Sequence, residues 1–290
     1  MQLPEIAWLD LPTGPLAYRR SGTGAPLLLI HGWGGSWRYW MGAFATLAEQ
    51  HDVIALDLPG FGDSPPPRKL ASLTELTAIT SAAADALGLG VMTLGGHSLG
   101  ASVALLLAAA QPTRVKRLVL ASFGLPRTPE EESLFAGLHM QLQINATVWG
   151  PWLDLWAPWL AALRPWNQSF WLTPPMPALV ASRAVYSVAE VPYGVLALGV
   201  ADLTAMNLRV AIEAASASGD PSVAAAARSV AVPTLILSGR EDQLFPPSAV
   251  TALARALSGS TLVMFDRCGH IPMAECPTPF YTTMEAFLQA

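Results

Sequence analysis

Ser98 lies at the centre of Gly96-His97-Ser98-Leu99-Gly100. The apolar run Val91 to Gly95 before it reads as a strand, and Ser98 to Ala110 after it reads as a helix. A Gly-x-Ser-x-Gly pattern between strand and helix forms a sharp turn. It strains the serine backbone, lifts the hydroxyl off the sheet edge and tolerates only small neighbours. Gly96, Gly100 and Ala101 meet that need. A serine hydroxyl is a weak nucleophile until a base takes its proton. The chain offers five histidines: His31, His51, His97, His139 and His270. His97 adjoins the serine and is expected on the strand side, pointing away. His51 beside Asp52 is expected in solvent, and His139 falls in a different region. His270 follows the last apolar run, Thr261 to Phe265, so its loop returns to the sheet edge that carries Ser98. His270 is therefore the expected base.

Such a base needs a carboxylate to orient it and stabilise its cation. Glu241 and Asp242, in Gly239-Arg240-Glu241-Asp242 after the strand Thr234 to Leu237, both fit by position. Asp242 is assigned the role, with Glu241 facing solvent. Acyl transfer also needs hydrogen-bond donors for a developing oxyanion. The backbone N–H of Leu99 at the helix start is one. The second is assigned to the N–H of Trp33 in His31-Gly32-Trp33-Gly34-Gly35, whose glycines let backbone approach a ligand closely. His31 is expected to brace that loop.

These residues require a sheet whose strand ends converge. Ile6 to Leu11 and Leu16 to Arg20 flank a turn, and Pro26 to Ile30 and Val53 to Leu56 read as strands buried on both faces. Trp37 to Gln50 and Leu73 to Leu87 read as helices, and Arg117 to Leu120 as the next strand. Strands alternating with helices imply a mostly parallel sheet with helices on both faces. From Pro126 to about Pro221 the alternation stops and helical stretches with several tryptophans take over. It resumes with Thr234 to Leu237, Ser248 to Leu257, Thr261 to Phe265 and Pro279 to Leu288. The expected organisation is an α/β core over residues 1–124 and 226–290, with a helical cap inserted over 125–225.

The motifs together resemble the α/β-hydrolase superfamily, in the serine-nucleophile, carboxylesterase-like branch with a helical cap. His31-Gly32-Trp33-Gly34 looks like that family's oxyanion loop. Asp57 to Ser64 looks like its Asp-x-Pro-Gly-x-Gly-x-Ser segment, and Gly239 to Asp242 like its acid loop. Gly269-His270-x-Pro with Glu275-x-Pro277 looks like its histidine loop. The order Ser98, Asp242, His270 is that family's order. Asp57, Asp63 and Glu275 are read as structural. The resemblance implies the α/β-hydrolase fold and hydrolysis of a carboxylic ester through an acyl-enzyme. Serine at the elbow, where haloalkane dehalogenases and epoxide hydrolases carry aspartate, argues against those two activities. Carbon–carbon bond hydrolases of ring-cleavage products, lactonases and perhydrolases use the same three residues and stay open. A hydrolase-like binding protein or receptor is the alternative of another class. The Gly32-Trp33-Gly34 loop also resembles that of esterases of carrier-protein methyl esters.

Composition bounds the substrate and partners. The 290 residues carry a formal net charge of −5, and charged residues make up only 13% of them. The mean hydropathy is +0.40. No basic block points to nucleic acid. Val91 to Ala110 is the longest candidate membrane span, but His97, Ser98 and its glycines break it. The N-terminal residues do not read as a secretory signal, so a cytoplasmic location is expected. Cys268 and Cys276, eight apart, read as two half-buried thiols. No metal site and no cofactor is expected, and the sequence leaves oligomeric state open. Trp149, Trp152, Trp156, Trp159, Trp166 and Trp171 crowd the insertion. They read as cap core, as an aromatic wall over the site, or as a lipid-facing surface. Trp152, Trp156 and Trp159, spaced four and three, share one helix face and are the substrate-pocket candidates. Few charges follow Glu130 to Glu132, so the substrate is expected to be a small apolar ester. An inward-pointing Arg164, Arg183 or Arg209 would instead favour a substrate bearing a carboxylate.

Overall fold

The structure, a computed structural model, describes residues 3–67 and 71–290; within these the side chains of residues 160, 161, 164, 165, 167 and 218 are left undescribed. Arg164 thus lies, as a side chain, outside the described residues. Eight strands form one sheet: β1 (Ile6–Leu11), β2 (Gly14–Ser21), β3 (Ala25–Ile30), β4 (His51–Leu56), β5 (Met92–His97), β6 (Val115–Ala121), β7 (Thr234–Gly239) and β8 (Ser260–Phe265). Their spatial order is β1-β2-β4-β3-β5-β6-β7-β8. β1, β2 and β4 pair antiparallel, and the rest run parallel.

Period-two alternation divides each central strand between two cores. Leu28 and Ile30 of β3 join Ile54, Leu94 and Leu120 on one face, while Leu27 and Leu29 join Val53, Val119 and Leu237 on the other. Helices α2 (Leu73–Ala86), α3 (Leu99–Ala110), α9 (Pro221–Ser229) and α10 (Pro247–Ala256) cover the first face. α1 (Met41–Thr46), preceded by a 3₁₀ turn over Trp37–Trp40, with the short α11 (Pro272–Glu275) and α12 (Pro277–Gln289), covers the second. Trp37 to Gln50, which reads as one helix in sequence, is split into these two short elements.

The strand order reverses between β3 and β5, because β4 lies on one side of β3 and every later strand on the other. Ligands bind where such an open sheet switches direction, beyond the carboxyl ends of its strands. The loop after β3 and the turn after β5 meet there, with Ile30 in register with Gly96. β7 and β8, adjacent in the sheet, bring the loops containing Asp242 and His270 together.

Between β6 and β7 the described residues form helices only: α4 (Pro129–Ala162), α5 (Arg164–Trp171), α6 (Met176–Ala181), α7 (Tyr193–Ala205), α8 (Leu208–Ala215), a 3₁₀ turn and α9. α9 straddles residue 225. Its Val223, Ala224, Ala226 and Ala227 pack into the sheet-covering core. Among the described residues no single helix is long and apolar enough to cross a membrane.

Candidate active site

Ser98 has φ 50° and ψ −113°, a left-handed conformation held by a crowded turn. A non-glycine residue there costs on the order of 1–3 kcal/mol. The crowding explains both glycines: a Cβ at Gly96 would lie 2.2 Å from the Gly100 carbonyl oxygen, and one at Gly100 would lie 2.3 Å from that of Ile30. The Ser98 carbonyl starts α3 by accepting the Ala101 and Ser102 N–H groups. The Leu99 N–H belongs to the first helical turn, where backbone donors have no intrahelical partner.

His270 is 6% exposed. Its Nδ1 lies 2.9 Å from Asp242 Oδ2, and its ring stacks on Phe245. Asp242 is buried, and its Oδ1 accepts the N–H groups of Leu244 and Phe245 at 2.8 and 3.0 Å. A carboxylate can only accept here, so Nδ1 carries the proton and Nε2 keeps its lone pair. That tautomer can take a proton from a hydroxyl. Glu241 is exposed and accepts the Cys268 N–H at 2.9 Å, so it braces the loop below His270. Glu275 does the same from the other side, accepting the N–H groups of Gly269 and Ile271, and also that of Tyr186 in the inserted segment. The His270 N–H donates to the Ala184 carbonyl at 2.7 Å.

The loop after β3 is equally braced. His31 is buried; its Nε2 accepts the Leu58 N–H at 2.9 Å, so its Nδ1–H donates to the Gly32 carbonyl at 2.7 Å. Burial lowers its pKa to about 4. Asp57 is fully buried and accepts the N–H groups of Trp37 and Asp63. Burial pushes its carboxyl up to about 6. Asp63 pairs with Arg19. The Trp33 indole N–H donates to the Ala211 carbonyl at 2.7 Å.

His97 departs from expectation. It does not point away from the site: its ring lies 4.9 Å from that of His270, and its Nε2–H donates to the His270 carbonyl at 2.8 Å. Residues 97 and 98 both line the same cavity. Burial, then the neighbouring His270, holds the His97 pKa well below the usual histidine range. His97 is thus a neutral wall that supports the His270 backbone. Its Nδ1 is buried without a hydrogen-bond partner, 2.5 Å from where a Cβ on Gly32 would lie.

Ser98, Leu99, His270, His97 and Trp33 line one cavity of about 1190 Å³. That is somewhat above the usual range for small-molecule sites, roughly 300–1,000 Å³. Its other walls are mainly apolar, from Met41, Leu134, Phe135, Val195, Leu196 and Phe245 among others. The charged side chains in the wall are already engaged. Arg38 pairs with Asp202, Arg127 with Glu131 and Glu190 with Arg267, while Glu275 serves backbone donors. Arg183 and Arg209 do not line it; Arg209 is held by Asp154 and Glu213.

Trp152, Trp156 and Trp159 correct the expectation of an aromatic pocket wall. They are 59, 57 and 69% exposed and do not line the cavity. Their spacing does put them on one face of α4, but it is the outward one. The inward face carries the buried Ala146 and Gly150, and a Cβ at Gly150 would lie 3.6 Å from Arg209 of α8. Small residues allow that close approach, and the large rings are left on the far side. Cys268 is buried and Cys276 partly so, with their Sγ atoms 3.1 Å apart. Among the described residues no group of three or more metal-ligating side chains is found.

Comparison with known proteins agrees with the fold. Residues 27–283 match the alpha/beta hydrolase family. A segment of 103 residues, 35% of this chain, is 42% identical to the dihydrolipoyllysine-residue acetyltransferase component of the acetoin cleaving system of Pseudomonas putida. The match spans only 28% of that protein. A 2-hydroxymuconate semialdehyde hydrolase of Pseudomonas sp. (strain CF600) is 29% identical over 284 residues, covering 92% of this chain and 88% of the relative. A solved thermophilic esterase from Thermogutta terrifontis superposes with a TM-score of 0.74 at 23% identity, over 98% of each chain, and so shares the fold.

Proposed function

The chain belongs to the alpha/beta hydrolase family, and from that premise we propose that it is a serine hydrolase of carboxylic esters with an apolar acyl or alcohol part. The observation that carries the reading is a strained Ser98 sharing an apolar cavity with His270, whose Nδ1–H is fixed on buried Asp242. In the proposed reaction His270 Nε2 takes the Ser98 proton as the oxygen attacks the ester carbonyl. The oxyanion is held by the N–H groups of Leu99 and Trp33. His270 returns the proton to the leaving alcohol, leaving an acyl group on Ser98. Water, deprotonated by His270, then releases the acid. The reaction draws on no metal or organic cofactor.

Hydrolysis of a carbon–carbon bond is the rival reading, favoured by the 29% identity to the semialdehyde hydrolase. Charge in the cavity speaks for the ester. Each arginine in the described wall is paired with a carboxylate, and a substrate carboxylate buried there without a free cation would be costly. The test is turnover of p-nitrophenyl esters with acyl chains of two to sixteen carbons beside a carboxylate-bearing ring-cleavage product. Hydrolysis of the esters alone is expected. Turnover of the ring-cleavage product with inert esters would replace this reading with its rival.

A further inference from the structure

The backbone loop that carries the Trp33 N–H is held from two sides. Below it, His31 is tied to the Leu58 N–H, and the Trp37 N–H to Asp57. Above it lie α7 and α8, bent by 98° to one another. At their elbow Asp202 of α7 uses both carboxylate oxygens on the loop's far end. Its Oδ2 accepts the Ser36 hydroxyl at 2.6 Å, and its Oδ1 accepts the Arg38 guanidinium at 2.7 Å. Ser36 is wholly buried and in turn accepts the Arg38 N–H. On the near end, Ala211 of α8 accepts the Trp33 indole N–H. Between these anchors Gly34, at φ +71°, has Leu203 of α7 2.8 Å from where a Cβ would lie.

Four positions between residues 33 and 38, Trp33, Gly34, Ser36 and Arg38, therefore meet the same pair of inserted helices. We propose that Asp202 and the Ala211 carbonyl are a clasp by which the inserted helices set the position of the Trp33 N–H, so that Asp202 is a positioning residue for the oxyanion donor. The inference rests on the ester-hydrolase reading above. A buried ion pair adds little net stability, because desolvation offsets its attraction, and its best-attested service is to fix geometry. Asp202 has that character: it is 4% exposed, and burial raises its carboxyl pKa. Its partners sit on a glycine-rich loop rather than on a rigid strand. The clasp supplies the hydrogen bonds by which the helix side fixes the loop where the donor is required. A displacement of about 1 Å at such a group costs on the order of a hundredfold in rate.

The experiment compares the wild-type chain with Asp202→Ala, Asp202→Asn and Ser36→Ala. Three readings are taken on folded protein: kcat and KM on a short p-nitrophenyl ester, affinity for a trifluoromethyl ketone that forms a tetrahedral oxyanion, and amide hydrogen exchange over residues 31–38. Asp202→Ala is expected to lower kcat on the order of ten- to a hundredfold with KM nearly unchanged. The ketone should weaken by the same factor, and exchange in the loop should speed up. Asp202→Asn keeps an acceptor for the Ser36 hydroxyl and should recover part of kcat. Ser36→Ala breaks the same contact from the loop side, so the test stands if Asp202→Ala does not fold. A lower melting temperature with kcat, ketone affinity and loop exchange all unchanged would overturn the clasp. If the wild type hydrolyses no ester, the ester reading fails separately, and loop exchange alone then decides whether the clasp exists.

Discussion

Asp242→Asn is the substitution whose outcome the geometry fixes most tightly. Asp242 Oδ1 accepts two backbone N–H groups, from Leu244 and Phe245, and Oδ2 faces His270 Nδ1. An asparagine must place its own oxygen where the two N–H groups point. The reverse orientation would lose two hydrogen bonds, about 1 kcal/mol each, and set an NH₂ against two donors. The amide nitrogen therefore faces His270 and demands that Nδ1 accept. The imidazole proton moves to Nε2, and the lone pair that should take the Ser98 proton is gone. The fold is untouched, since every backbone partner is kept. In the best-studied serine hydrolase this tautomer error lowers kcat about 10⁴-fold, which is about 5.5 kcal/mol of barrier. The assay is steady-state hydrolysis of p-nitrophenyl acetate, with circular dichroism to verify folding. Glu241→Gln is the control: it keeps an acceptor for the Cys268 N–H and should change kcat by less than about threefold. An Asp242→Asn enzyme within tenfold of wild type, or a larger loss from Glu241→Gln, would refute the argument.

Other consequences are as definite. His31 has its pKa lowered to about 4 from 6.5 by burial. Its contribution to stability is fully present above pH about 6.5 and disappears as pH falls toward 4, about 3 kcal/mol in all. Urea unfolding of wild type and His31→Gln across that range should show their stability difference shrinking by this amount; a difference independent of pH contradicts it. Gly100→Ala would press a Cβ to 2.3 Å from the Ile30 carbonyl. Overpacking of backbone against backbone should cost about 1–3 kcal/mol or more, read as a lower urea midpoint, and ester hydrolysis should fall with it. An unchanged midpoint speaks against the crowding at this turn. Trp152→Ala, on the outward face of α4, should leave kcat/KM for a short ester within about twofold, as surface positions usually do. A tenfold loss would place that face in contact with substrate.

How far the sequence carries depends on the range of the interaction that decides each feature. The strands are legible because Leu27 to Ile30 and Val53 to Leu56 are apolar on both faces, which only a covered sheet permits. The meeting of His270 with Asp242 is legible because each closely follows a strand, and strand ends on one side of a parallel sheet converge. Features set by which side faces the core are not legible. Periodicity places Trp152, Trp156 and Trp159 on one face of α4, but the inward face is chosen by Ala146 and Gly150, whose smallness reads as nothing in particular. His97 reads as pointing away because it adjoins Ser98 on the strand side, and only the packed structure brings its ring to 4.9 Å from that of His270. Asp202 is 166 residues from Ser36, and no local pattern joins them. The boundary near residue 225 cannot be seen for a related reason: an alanine-rich helix suits a cap and a core equally well, and packing puts α9 on the core.

The central claim is that Ser98 is the nucleophile, and a mechanism-based phosphonylating agent tests it most directly. Wild-type protein treated with a fluorophosphonate ester should gain one adduct, mapped by peptide mass spectrometry to Ser98, with loss of ester hydrolysis in step with labelling. Ser98→Ala should take no label and show no turnover. A stoichiometric adduct on another residue, or full hydrolysis by Ser98→Ala, would contradict the account.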